Sequence, residues 1–310
     1  MQQIDGACYA RHTGGIWMMA ETALSEMVGR FNMGVLKEYT EAELDDLHIR
    51  SLDILMTEHG GAIVKAAAPY LLTGNGVAIV DLQGPLMKQR SKFGGTSTVA
   101  AASAIQQAVR SNDVGSILLR VDSPGGTVSG IEALCHAVGE ANVAKPVHAH
   151  ADGICASAGY WPTSQARYIS AAPMTQTGSI GTYATIVDSS EAAEKQGLKV
   201  HVVKAGAFKG AGEPGVPVDE DTIEEIQMKV DSANQYFLDG VAKGRDMSSE
   251  AVAAIADGRT HDSPDAYKLG LIDEINRFPE AVRDAAMAAN DQTRPQRIAA
   301  LDNRKRLRGI

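Results

Sequence analysis

Residues 116–126 read Ser116-Ile117-Leu118-Leu119-Arg120-Val121-Asp122-Ser123-Pro124-Gly125-Gly126. An apolar run of strand length that breaks at Pro-Gly-Gly is a short strand entering a turn. The same unit recurs on either side. Upstream, Val77-Ala78-Ile79-Val80-Asp81-Leu82 is a strand that stops at Gly84-Pro85, and residues 96–111 are Ala-rich and helical. Downstream, a helix is expected over residues 128–141 and a third strand over 146–151. Residues 156–165 read as a helix entered directly from that strand. Further strands are expected over residues 167–171, 179–187 and 199–204, with a short helix over 191–197. Residues 219–244 and 249–256 are strongly helical, and Leu269-Gly270-Leu271-Ile272-Asp273-Glu274-Ile275 reads as a closing strand. Strands alternating with helices define an α/β domain.

Composition narrows the function. The chain has 310 residues, enough to bury a full core, with 44% hydrophobic and 22% charged residues. Aromatics are only 5%, so the core must be built from Ala, Val, Ile and Leu. A net charge of −9 argues against nucleic acid as a partner, which would demand a basic face. No stretch approaches the roughly 18 apolar residues of a membrane span, and Met1-Gln2-Gln3-Ile4-Asp5 lacks the features of a secretory signal. Cys8, Cys135 and Cys155 offer neither a disulfide framework nor metal-ligand spacing. A soluble protein of a reducing cytoplasm is expected, with no membrane partner, no metal and no other cofactor.

The domain organisation expected is a helical N-terminal extension over residues 1–75, a catalytic α/β domain over 76–280 and a basic C-terminal tail over 281–310. Leu44, Leu47, Ile49, Leu52, Ile54 and Leu55 form a helical apolar stripe in the extension. Arg294, Arg297, Arg304, Lys305, Arg306 and Arg308 give the tail its charge, as a solvated end or a docking site for an acidic partner.

The chemistry concentrates in three places. Ser157 lies at a strand-to-helix junction, in Ile154-Cys155-Ala156-Ser157-Ala158-Gly159-Tyr160. Small flanking residues suit a tight turn that presents a hydroxyl, and the following turn offers free N–H groups, that of Ala158 among them. The alternative is a simple helix cap. Lys209 sits in Lys204-Ala205-Gly206-Ala207-Phe208-Lys209-Gly210-Ala211-Gly212. A serine needs a base to become a nucleophile, and a lysine serves as one only when desolvation brings its ordinary value of about 10.4 toward roughly 7–8. Small neighbours let backbones close around an amine. The third place is the Pro-Gly-Gly turn, whose exposed N–H groups could hold an oxyanion. Ser179, in Thr177-Gly178-Ser179-Ile180-Gly181, could hydrogen-bond the amine and position it.

Two rivals stand beside this reading. Cys155, two residues from Ser157, could be a nucleophile, although a buried apolar role is the simpler one. His148 and His150 share a strand face and could serve a metal or a Ser–His arrangement, although structural roles suit them better.

Together, Val121-Asp122-Ser123-Pro124-Gly125-Gly126, Ala156-Ser157-Ala158-Gly159-Tyr160, Ala172-Pro173, Thr177-Gly178-Ser179-Ile180-Gly181, Lys209, Gly258-Arg259-Thr260, Ala266 and Leu269-Gly270-Leu271-Ile272-Asp273 resemble the signal peptide peptidase A family of serine peptidases. The likeness is greatest to its soluble branch, the phage head-maturation (prohead) proteases. It runs from about Val77 to Ile275. It implies a Clp-protease/crotonase-like fold of stacked strand-strand-helix units and a ring- or dome-shaped homo-oligomer. By motif it implies Ser157 as nucleophile, Lys209 as general base and Ser179 as the residue orienting the lysine. The oxyanion donors would be the backbone N–H groups of Ala158 and Gly126, with Gly125 as the alternative to Gly126. Ala158 stands where the family usually has glycine. The implied substrates are proteins or peptides, such as capsid or scaffold proteins of a phage head, met in the host cytoplasm or the prohead. The alternatives are a soluble bacterial relative that clears signal peptides, acyl-CoA chemistry on the same fold, and a non-enzymatic assembly or scaffolding protein.

Overall fold

The computed structural model describes residues 17–19, 63–65, 69–89 and 95–290. In chain order the elements are β1 (Trp17–Met19), β2 (Ile63–Lys65), β3 (Leu71–Thr73), β4 (Val77–Gln83), β5 (Leu86–Met87), β6 (Thr96–Ser97), α1 (Thr98–Arg110), β7 (Ser116–Ser123), β8 (Gly125–Thr127) and α2 (Ile131–Ala144). There follow β9 (Val147–Ala156), a 3₁₀ turn (Ser157–Gly159), α3 (Tyr160–Ser164), β10 (Tyr168–Ala171), β11 (Gln176–Gly178), α4 (Ser190–Lys195), α5 (Glu220–Arg245), α6 (Ser249–Ile255), β12 (Thr260–Asp262), α7 (Ser263–Lys268), β13 (Glu274–Ile275) and α8 (Phe278–Asn290).

Long strand, short strand, helix is the repeating unit. It appears as β4-β5-α1 and again as β7-β8-α2, the stack of strand-strand-helix units expected of a Clp-protease/crotonase-like α/β fold. The long strands form the main sheet, ordered β12-β11-β9-β7-β4-β3-β2, in which β4, β7, β9 and β11 run parallel. The short strands form a second sheet, ordered β1-β8-β5-β6.

Parallel strands are covered on both faces, which is why β4 and β7 read as continuous apolar runs. Alternate residues go to opposite sides. Ala78, Val80, Leu82, Ile117, Leu119 and Val121 join the main core with Ala101, Ile105 and Ala108 of α1 and Leu134 and Val138 of α2. Val77, Ile79 and Leu118 face the other way, onto Phe278, Ala281, Val282 and Ala285 of α8. Alanine spaced at helical intervals lets α1 approach closely, which suits a chain poor in aromatics. Local signals start the helices: the Ser97 hydroxyl accepts from Ala100 N at 3.2 Å and the Asp219 carboxylate from Thr222 N at 2.8 Å.

Several sequence expectations change here. The sheet does not begin at residue 76, because β3 pairs antiparallel with β4 and β2 with β3. The apolar stripe of residues 44–55 lies outside the described residues, as does the basic run from Arg294. Residue 281 is not the start of a tail: α8 crosses the expected boundary and buries its apolar face on the sheet. The strands expected over residues 179–187 and 199–204 are absent. Among the described residues neither segment forms a strand, and Tyr183 alone makes an isolated bridge. The closing strand shrinks to Glu274–Ile275, since Leu271 and Ile272 are buried in the turn after α7 instead. Residues 156–165 divide into the end of β9, a 3₁₀ turn and α3.

Candidate active site

Two parallel strands end side by side in serines with left-handed backbone. The β9–β11 register pairs Gln176 with Ile154, Thr177 with Cys155 and Gly178 with Ala156. One step further along each strand come Ser179 and Ser157, with φ of 49° and 54°. Positive φ costs a residue with a Cβ roughly 1–3 kcal/mol and persists only where surrounding structure enforces it. Ser179 is held by its N–H, which donates to Arg259 O at 2.7 Å. Ser157 is held by the 3₁₀ turn and by what anchors α3. The Tyr160 hydroxyl donates to Leu271 O at 2.9 Å, Thr163 Oγ1 donates to Gly159 O at 2.7 Å, and the Trp161 ring stacks on Phe237 of α5.

The Pro-Gly-Gly turn is tied to this point through Ser123, a residue that sequence reasoning gave no role. Its buried hydroxyl donates to Gly84 O at 2.7 Å and accepts from Gly125 N at 3.2 Å. A Cβ added at Gly159 would stand 3.0 Å from Ser123 O, so the Ser157 turn and the glycine loop are in direct contact. Because Gly125 N–H is engaged by Ser123, Gly126 is the better candidate for an oxyanion donor, beside Ala158 in the turn after Ser157. Gly126 packs so closely on β5 that a Cβ there would overlap Leu86 O. Only glycine fits.

A second missed device sets the reach of β9. Val121 pairs with Ala151 but Ser123 with Cys155, so β9 carries two extra residues opposite Asp122. The Asp122 carboxylate accepts from Ile154 N at 3.1 Å, and Gly153 (φ 114°) sits where a Cβ would be 2.6 Å from Asp122 Oδ1. An even number of inserted residues keeps each side chain on its own face while moving Ser157 relative to the Ser123 loop. The Asp152-Gly153 pair is the sequence signal for this bulge.

The rivals resolve into structural roles. Cys155 is fully buried, and burial pushes its thiol up to about 12, which keeps it neutral and inert. His150 faces α8, its Nδ1 lies 2.8 Å from Ser170 Oγ, and its ring lies 5.7 Å from that of Phe278. Burial lowers its pKa to about 4. His148 packs on the Tyr168 ring. Among the described residues no cluster of three His, Cys, Asp or Glu side chains could hold a metal ion.

Lys209 lies on a different segment of the chain. It is exposed on a turn, its N–H donates to Gly206 O at 3.2 Å, and among the described residues its amine has no hydrogen-bond partner. It belongs to an excursion in which no residue from 181 to 221 is buried. At its root Thr182 Oγ1 donates to Val230 O of α5 at 2.9 Å, and further out Gly215 N donates to Ser189 Oγ at 2.9 Å and Val218 N to Asp188 Oδ2 at 3.0 Å. Val187, Leu198, Val200, Val202, Val203 and Phe208 are exposed along it. The structure thus brings together Ser157, Ser179, Ala158, Gly125 and Gly126, and leaves Lys209 on this arm.

Among known proteins, residues 140–292 match the model of Peptidase family S49. Protease 4 of Haemophilus influenzae is 29% identical over 219 residues, covering 70% of this chain and 35% of the relative. Capsid assembly protease C of Escherichia phage lambda is 28% identical over 218 residues, covering 68% of this chain and 49% of the relative. The chain spans between about a third and three-fifths of the length of the curated relatives it matches. The ClpP protease catalytic domain of Plasmodium falciparum aligns with a TM-score of 0.40 at 11% identity, covering 64% of this chain and 85% of that one. Among the described residues, no helix is long and apolar enough to cross a membrane. The stretch that the Peptidase family S49 model matches, residues 140–292, carries Ser157, Ser179 and Lys209, so the similarity spans the candidate site.

Proposed function

We propose that this chain is a serine endopeptidase that cleaves peptide bonds through an acyl-enzyme on Ser157, with Lys209 as the general base. The observation that carries the reading is the strained Ser157 turn pressed against the Ser123–Gly126 loop. A hydroxyl at the end of a parallel strand, beside main-chain donors on a rigid loop, is the arrangement acyl transfer needs. The Lys209 amine takes the Ser157 proton, and Ser157 Oγ attacks the scissile carbonyl. Gly126 and Ala158 N–H groups receive the developing negative charge. The lysine then returns the proton to the leaving amine and activates water for deacylation. Ser179, level with Ser157 on the neighbouring strand, orients the amine.

In this reading Lys209 reaches the site from a second copy of the chain. An arm with no buried residue and six large apolar side chains in solvent is unstable as a free surface and suited to packing on a neighbour. A homo-oligomer in which each arm crosses to the adjacent Ser157 buries those side chains. It also supplies the desolvation a lysine base requires. A closed ring is the simplest assembly built from such a head-to-tail contact.

The likeness to Capsid assembly protease C supports capsid or scaffold proteins of a phage head as substrates. The test is to purify the chain with its Ser157→Ala and Lys209→Ala variants and follow cleavage of casein and of a phage scaffold protein. Loss of both cleavages in both variants is expected, and parental rates in either would overturn the assignment.

A further inference from the structure

The small sheet holds a strand that the strand-strand-helix unit does not account for. β1, Trp17–Met19, pairs antiparallel with β8, placing Trp17 against Thr127, Met18 against Gly126 and Met19 against Gly125. The other side of β8 is taken by β5, through Leu86 and Gly126. β1 therefore covers the one edge of β8 that another polypeptide could use. It also lies against the Ser157–Gly159 turn. Ser157 itself is only 1% exposed.

An extended peptide whose scissile carbonyl is to meet Ser157 and the Gly126 N–H must run along this edge. Adding as a strand satisfies its main chain and requires nothing of its side chains. β8 is suited to that, since Gly125-Gly126 presents backbone and no Cβ. We propose that Trp17–Met19 is the resident occupant of this peptide-accepting edge. The chain's own N-terminal segment holds the place of an extended substrate and must withdraw before another polypeptide binds. The inference rests on the peptidase reading of Ser157 for the meaning of the edge, but the occupancy can be tested without catalysis.

Successive N–H groups along a strand point to opposite sides, so proline at two adjacent positions removes one ladder donor whichever pairing is hydrogen-bonded. In the full chain carrying Ser157→Ala, the Met18→Pro/Met19→Pro pair is added. A fluorescein-labelled peptide with the sequence of residues 14–22 is then titrated by anisotropy. Loss of a ladder bond is expected to free the edge and tighten peptide binding about tenfold, equivalent to about 1.4 kcal/mol. The converse variant, Trp17→Cys/Thr127→Cys with Cys8→Ser, locks the observed register. Its oxidised form should bind the peptide at least tenfold more weakly than its reduced form, by the same reasoning. Equal binding with and without the prolines, failure of the cysteine pair to oxidise, or equal binding by its two forms would each overturn the inference. Casein cleavage by chains with intact Ser157 is scored separately. If binding responds as expected and no variant cleaves, the occupancy stands and the peptidase reading fails.

Discussion

Gly159→Ala adds one methyl group at the contact between the Ser157 turn and the Ser123–Gly126 loop. The backbone there is helical, with φ −73° and ψ −34°, so alanine carries no conformational penalty. By propensity alone the change should stabilise by about 0.5–1 kcal/mol. Against this, the new Cβ would stand 3.0 Å from Ser123 O, 3.1 Å from Ser123 Cβ and 3.2 Å from Ser123 Oγ. Ser123 cannot rotate away, because its hydroxyl is fixed between Gly84 O and Gly125 N. Overpacking of this kind costs about 1–3 kcal/mol, so it outweighs propensity and a net loss of about 1 kcal/mol is expected by urea denaturation. The larger effect is on catalysis. Relief of a few tenths of an ångström must come from moving the loop that carries Gly126, and a displaced donor should lower kcat about tenfold with a smaller change in KM. The assay is steady-state hydrolysis of a fluorogenic protein substrate beside the denaturation curve. Parental kcat at the predicted stability loss would refute the claim that this loop serves the chemistry. Parental stability would refute the packing argument itself.

Two further outcomes follow from buried charge. His150 is fully buried and takes up a proton only near pH 4, whereas the unfolded chain does so at about 6.5. The unfolded state therefore binds more protons between those values, and stability is lost as pH falls from about 6.5 to about 4. Relative to His150→Gln, the parental chain should lose about 3 kcal/mol across that window, read by denaturation at each pH. Arg245 donates to Asp273 Oδ1 at 2.8 Å and to Gly270 O at 2.8 Å and 3.0 Å, in a buried setting that ties α5 to the turn receiving the Tyr160 hydroxyl. Arg245→Ala should cost about 3–5 kcal/mol, because it strands the Asp273 carboxylate, and thermal denaturation would show it.

The architecture was largely legible because parallel strands and Ala-rich helices leave clear periodic traces. Residues 77–82 and 116–121 were read within two residues of β4 and β7. The site's serines were legible as strand ends flanked by small residues. Their left-handed backbone was not, since positive φ at a non-glycine residue is imposed by tertiary contacts such as Arg259 O on Ser179 N. The expected strands over residues 179–187 and 199–204 show the limit from the other side. Alternation is a property of a surface awaiting a partner, and it does not say whether that partner lies in the same chain. Ser123 and Asp122 were visible in the Pro-Gly-Gly motif, but their roles depend on Gly84, Gly125 and Ile154, which the sequence does not bring near. The β1–β8 pairing joins residues more than a hundred positions apart, and no local pattern announces it.

The direct test of a lysine supplied across copies is to mix inactive chains. Ser157→Ala and Lys209→Ala variants are each assayed alone, then dissociated together, reassembled at equal amounts and assayed again. If each site takes its serine from one chain and its lysine from the next, random reassembly restores both groups in about a quarter of sites, and activity should return to about a quarter of the parental value. A mixture that reassembles and stays as inactive as its components would contradict the account.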